Sequence, residues 1–66
     1  MMFHKFKIGQ PVGYRPPRGL YVLEGTFLVT ALLPERNGAF EYRIRHPAET
    51  HDRVVSEAEL HQRQFK

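Results

Sequence analysis

Residues 26–45 carry the clearest pattern of hydrophobic and polar positions in the chain. The run 26–33, TFLVTALL, is rich in β-branched and apolar residues. Pro34 to Gly38 then interrupt it, and 40–45 alternate strictly: Phe40, Tyr42 and Ile44 apolar, Glu41, Arg43 and Arg45 charged. Two such runs joined by a segment with Pro and Asn-Gly predict a β-hairpin with a loop over 34–39. Side chains two apart share a face of a strand, so Phe40, Tyr42 and Ile44 point inward and the arginines point to water. The run 26–33 is apolar on both parities, with Phe27, Val29, Ala31 and Leu33 on one and Leu28 and Leu32 on the other. In a chain this short, that pattern predicts a bent strand.

The flanks are predicted by the same rules. Phe6, Ile8, Val12 and Tyr14 share a parity, but Gly9 and Pro11 break the alternation, so the first strand is placed at 11–15, entered at Pro11. Residues 15–25 form a long loop, because consecutive Pro16 and Pro17 exclude helix and drive Arg15 toward extended backbone. His46-Pro47 ends the third strand, 39–46, and 52–55 form a short fourth. Ser56 followed three residues later by Glu59 is the capping-box spacing, and predicts a helical turn held by Ala58 and Leu60. Residues 62–66 are left as a short last strand or tail. The expected core is Ile8, Val12, Phe27, Val29, Leu33, Phe40, Tyr42, Ile44, Val54 and Leu60.

This order of elements predicts an all-β fold: a small five-stranded SH3-like barrel with a short helical turn near the C-terminus, as one domain over 1–66. The strings FKIGQPV at 6–12, GTFLVTALLP at 25–34, YRIR at 42–45 and RVVSEAEL at 53–60 resemble a family of short, uncharacterised bacterial proteins. The resemblance implies an SH3-like barrel and no particular activity.

Composition narrows the function. Sixty-six residues bury only roughly 60% of their unfolded surface, and with no cysteine there is no disulfide or thiolate zinc site to staple the core. Packing must come from the five Phe and three Tyr. No apolar run approaches the roughly 20 residues of a membrane helix, and no signal peptide is seen, so a cytoplasmic protein is expected. Pro11 on the first strand and the charges of the third oppose edge-to-edge pairing, so a monomer is expected. The single serine, Ser56, has a structural role as a cap, and His51 and Asp52 are adjacent and so diverge on a strand. No catalytic set is present, and His4, His46, His51 and His61 have no recognised metal-ligand spacing. No enzyme, cofactor or metal is expected.

Net charge is +3, and the excess lies in residues 1–25, where Lys5, Lys7, Arg15 and Arg18 face only Glu24. Arginine and tyrosine dominate the energetics of protein interfaces. Tyr14, Arg15, Arg18 and Tyr21 around the long loop, with Arg43 and Arg45 on the third strand, are therefore the candidate partner-binding residues. The leading expectation is a noncatalytic adaptor that binds a protein or peptide through 15–25. The alternative is RNA or single-stranded nucleic acid, since basic groups interleaved with aromatics suit a stacked single strand.

Overall fold

The computed structural model describes residues 3–16 and 24–63. Five antiparallel strands form one sheet: β1 (Pro11–Tyr14), β2 (Phe27–Arg36), β3 (Ala39–Arg45), β4 (Arg53–Ser56) and β5 (Leu60–Gln62). A 3-10 turn, Glu57–Glu59, links β4 to β5. The ladder runs β4-β3-β2-β1-β5, so the two strands on either side of the turn are the two ends of the sheet. The Ser56 N–H donates to the Glu59 side chain at 3.0 Å, which is half of the reciprocal arrangement expected from their spacing.

The β2–β3 hairpin is tighter than its sequence suggested. β2 runs on through Pro34 to Arg36, and Arg36 pairs with Ala39 across a two-residue turn. Both turn residues are left-handed, Asn37 at φ 53° and Gly38 at φ 82°, the backbone that matches the twist of paired strands. Proline is tolerated inside β2 because β1 pairs with it only near Pro11 and Val12; beyond that, β2 is an edge on this side. The expected loop over 34–39 is thus mostly strand.

β2 is interrupted by a β-bulge. Val29 pairs with Ile44 and Ala31 with Arg43, which leaves Thr30 as the extra residue. The register shift sets Leu32 opposite Tyr42 and Leu33 opposite Glu41, before a second irregularity between Leu33 and Arg36. Leu32 is 40% exposed and Leu33 is partly buried, so the expected core position of Leu33 is corrected: neither leucine belongs to the buried cluster.

The buried cluster is Phe6, Val12, Phe27, Val29, Tyr42, Ile44, Val55 and Leu60, with Tyr14 and Phe40 packed partly against it. Three further expectations are corrected. Ile8 is 65% exposed, because a turn from Lys7 to Gln10, with Gly9 at φ 87°, directs it outward and leaves Phe6 to fill the core. Phe40 stands at the core's margin. Val55, opposite Tyr42, is buried, whereas Val54, opposite Arg43, is 55% exposed. The fourth strand is one residue later than expected, and the last strand begins at Leu60.

The N-terminal segment is hydrogen-bonded to β2. The Gly9 N–H donates to the Val29 carbonyl at 2.7 Å and the Val29 N–H to the Gln10 carbonyl at 3.1 Å. The His4 Nε2–H donates to the Leu33 carbonyl at 2.6 Å. That bond occupies a backbone group on the β2 edge which β1 does not reach. No helix among the described residues is long and apolar enough to cross a membrane.

Candidate functional site

The sheet has an outer face built by strand alternation. Arg43 and Arg45 flank the buried Ile44 and stand exposed on it. Leu28 pairs with Arg45, and Val54 with Arg43, so each arginine has an apolar neighbour directly across the ladder. Leu28 is 46% exposed. Two half-exposed aliphatic side chains, on β2 and β4, flank the two arginines of the middle strand β3 and form with them a mixed patch.

The arginines differ in their bonding. Arg45 Nε donates to Asp52 Oδ1 at 2.7 Å, and the Thr30 hydroxyl donates to Asp52 Oδ2 at 2.7 Å. The Thr30 bond, then the Arg45 bond, hold the Asp52 carboxyl below its ordinary value. The bulge residue, β3 and the β3–β4 turn are thereby tied at one point. Arg43 forms no ion pair with any described residue. Glu41, two positions along the same face, also forms none among the described residues.

Tyr14 lies elsewhere. It shares the inward parity of Val12 and packs edge-on to Phe27, ring centroids 5.7 Å apart. Burial, then the charge of Glu59, raise its phenol above the ordinary value, with Arg53 opposing. Arg15 is exposed, and its N–H donates to the Glu59 carbonyl at 2.8 Å, continuing the β1–β5 edge. Arg18 and Tyr21 lie outside the described residues. The fold therefore places Arg43 and Arg45 together and sets Tyr14 on the opposite side of the sheet.

The histidines flanking the β3–β4 turn do not build a metal centre. His46 Nδ1 accepts the Ala48 N–H at 3.0 Å, and its Nε2 donates to the Glu24 carbonyl at 2.8 Å. Glu49, between His46 and His51 in sequence, receives both Arg53 Nε and Nη2, and that bonding holds its carboxyl below the ordinary value. Among the described residues there is no group of three or more His, Asp or Glu placed to hold a metal ion.

A second feature was not visible in the strand pattern. Tyr42 is fully buried, and its hydroxyl accepts the Lys5 N–H at 2.9 Å and the Phe6 N–H at 3.2 Å while donating to Glu57 Oε1. Glu57 Oε1 also accepts the Lys5 N–H at 2.9 Å. Burial pushes the Glu57 carboxyl up, but the Tyr42 hydroxyl, the Lys5 N–H and the charges of His4 and Lys5 outweigh it and keep it below the ordinary value. Beside this clasp is a cleft of about 340 Å³, bordered by Lys5, Phe40, Glu57 and Ala58 and by the hairpin tip at Gly38. His4 packs against the Phe40 ring, centroids 4.3 Å apart. The capping spacing of Ser56 and Glu59 announced the turn that carries Glu57, but nothing local announced that Tyr42 would meet it.

Comparison with protein-family models, with curated proteins and with solved structures finds no match.

Proposed function

We propose that this chain is a noncatalytic binding domain, a small SH3-like barrel that docks a segment of a protein partner on the outer face of β2, β3 and β4. Support for the barrel comes from the strand order, from a core drawn from all five strands, and from the turn that joins the sheet's two end strands. One observation carries the binding reading: Leu28 and Val54 are left half exposed directly opposite Arg45 and Arg43. Aliphatic area beside a guanidinium that is free of partners among the described residues is the composition of an interface centre.

The same face argues against nucleic acid as the main partner. No Phe or Tyr of β2, β3 or β4 stands on it, since Phe27, Phe40 and Tyr42 all take the inward parity. Without rings there is no stacking platform, and Asp52 and Glu41 reduce the local positive field.

The test pairs two assays on wild type, Arg43→Glu/Val54→Glu and Arg15→Glu, each first shown by circular dichroism to be folded. Cross-linking capture should recover a protein that the double variant loses and Arg15→Glu keeps. Fluorescence anisotropy with labelled oligonucleotides at low and raised salt should show only weak binding. Tight, steeply salt-dependent oligonucleotide binding abolished by the double variant would overturn the protein reading. Loss with Arg15→Glu alone would move the interface to the 15–25 loop.

A further inference from the structure

We infer that the cleft beside the Tyr42–Glu57 clasp is a separate recognition pocket for an arginine side chain carried by a protein partner. This rests on the reading of the chain as a protein-binding domain and adds to it the chemistry of one partner residue.

The two oxygens of Glu57 are used unequally. Oε1 is used internally, accepting the Tyr42 hydroxyl and the Lys5 N–H. Oε2 has no partner among the described residues, although Glu57 is half-buried and borders the cleft. The neighbouring Lys5 does not take it: its ammonium is placed over the Phe6 ring, 5.7 Å from its centroid, and no Lys5–Glu57 ion pair is formed. A carboxylate kept ionised, partly removed from water and with one open oxygen favours a cationic donor from outside.

The walls select the kind of cation. Phe40 supplies an aromatic side, and His4 packs on its ring. Ala58 and Gly38 are small and leave room between the 3-10 turn and the hairpin tip. A planar guanidinium lies flat against an aromatic side chain while donating to a carboxylate in its own plane. A lysine ammonium, compact and strongly hydrated, exploits the ring less. Every group needed is pre-positioned: Glu57 by Tyr42 and the Lys5 backbone, Phe40 by His4.

The probe is a capped Gly-Arg-Gly tripeptide, titrated against the isotope-labelled full chain and followed by amide chemical shifts. Saturable shifts should be confined to Gly38, Ala39, Phe40, Glu57 and Ala58, in the millimolar range expected of a single side chain. The Gly-Lys-Gly peptide should bind more weakly, and the citrulline peptide, a neutral isostere, should give no saturable shifts. Glu57→Gln retains the acceptor for Tyr42 and Lys5 but removes the charge, and should weaken the arginine peptide about tenfold or more. Phe40→Leu, which alters the wall and leaves the clasp in place, should weaken it several-fold. Equal binding of the citrulline peptide, shifts centred on Arg43 and Val54, or no saturable shifts in wild type would overturn the assignment. So would free arginine binding more tightly than the capped peptide, which would make the cleft an amino-acid site. The outer-face variants should leave this titration unchanged, so failure of the pocket and failure of the outer-face reading are read out separately.

Discussion

Removing a single oxygen atom, by Tyr42→Phe, tests the clasp that joins the N-terminal segment, β3 and the 3-10 turn. The ring stays, with its edge-on contacts to Phe6 at 5.7 Å and His4 at 5.1 Å, so no cavity larger than a hydroxyl is made. Three bonds disappear. The Phe6 N–H, which is buried, has the Tyr42 hydroxyl as its acceptor and is left unsatisfied, at about 1–3 kcal/mol. The Lys5 N–H keeps Glu57 Oε1 and costs little. Glu57 loses a charge-assisted bond but is half open to water, which costs about 1 kcal/mol. The expected loss is therefore about 2–4 kcal/mol. A domain of this length has roughly 3–10 kcal/mol in total, so the variant should be close to unfolding at room temperature. Urea denaturation should show a lower midpoint with an unchanged slope, and the melting temperature should fall by roughly 10–30 °C. In the native state, the amides of Lys5 and Phe6 should lose hydrogen-exchange protection before those of β2 and β3. A double-mutant cycle with Glu57→Ala should give a coupling of about 1 kcal/mol or more. A Tyr42→Phe variant within about 0.5 kcal/mol of wild type, or strictly additive with Glu57→Ala, would refute the idea that this hydroxyl organises the segment.

The remaining predictions follow from register, turn geometry and charge. Val55→Ala should destabilise by about 2 kcal/mol and Val54→Ala by less than about 0.5, since neighbouring residues of β4 face opposite ways; equal effects in thermal melts would contradict the register. Gly38→Ala should cost about 1–2 kcal/mol although its Cβ would meet open space, because φ 82° is strained for any side chain; calorimetry showing no change would mean that the turn relaxes freely. Gly13→Ala would place a methyl 2.1 Å from His61 Nε2, so the exposed ring should swing away, visible as a shift of its proton resonances, and adding His61→Ala should recover most of the lost stability. Glu49, Asp52 and Glu57 are all held below their ordinary values, by Arg53, by Thr30 with Arg45, and by Tyr42 with the Lys5 N–H against burial. The native state then binds fewer protons in acid. The stability they contribute is present above ordinary carboxyl values, 4.5 for Glu and 3.8 for Asp, and is lost as pH falls through the depressed ones. Tyr14 and Tyr42 are raised above 10.0, so their contribution is present below that pH and lost as it rises through the folded values. Urea midpoints measured from pH 2 to pH 11 should fall at both ends, and a flat acid limb would contradict the carboxylate bonding.

Most of the elements, and much of what each places inside, were legible in local pattern. Strict alternation over 40–45 put Tyr42 and Ile44 in the core and Arg43 and Arg45 in water, because a strand reverses its side chains at every residue. The Asn-Gly pair gave the hairpin its turn, and the Ser56–Glu59 spacing gave the 3-10 segment its start. Tertiary structure decided what no local rule contains. The bulge at Thr30 arises from pairing β2 with β3, and it set Leu32 opposite Tyr42 and Leu33 opposite Glu41, the reverse of what their parity in the sequence predicts. Ile8 left the expected core, and Phe6, on the same parity but absent from that core, filled it, because the Lys7–Gln10 turn is set by the backbone bonds of Gly9 and Gln10 to Val29, a residue about twenty positions away. The candidate pocket is of the same kind. Glu57, Tyr42 and Lys5 come from three separate stretches of chain, and only the tertiary fold brings them within hydrogen-bond distance.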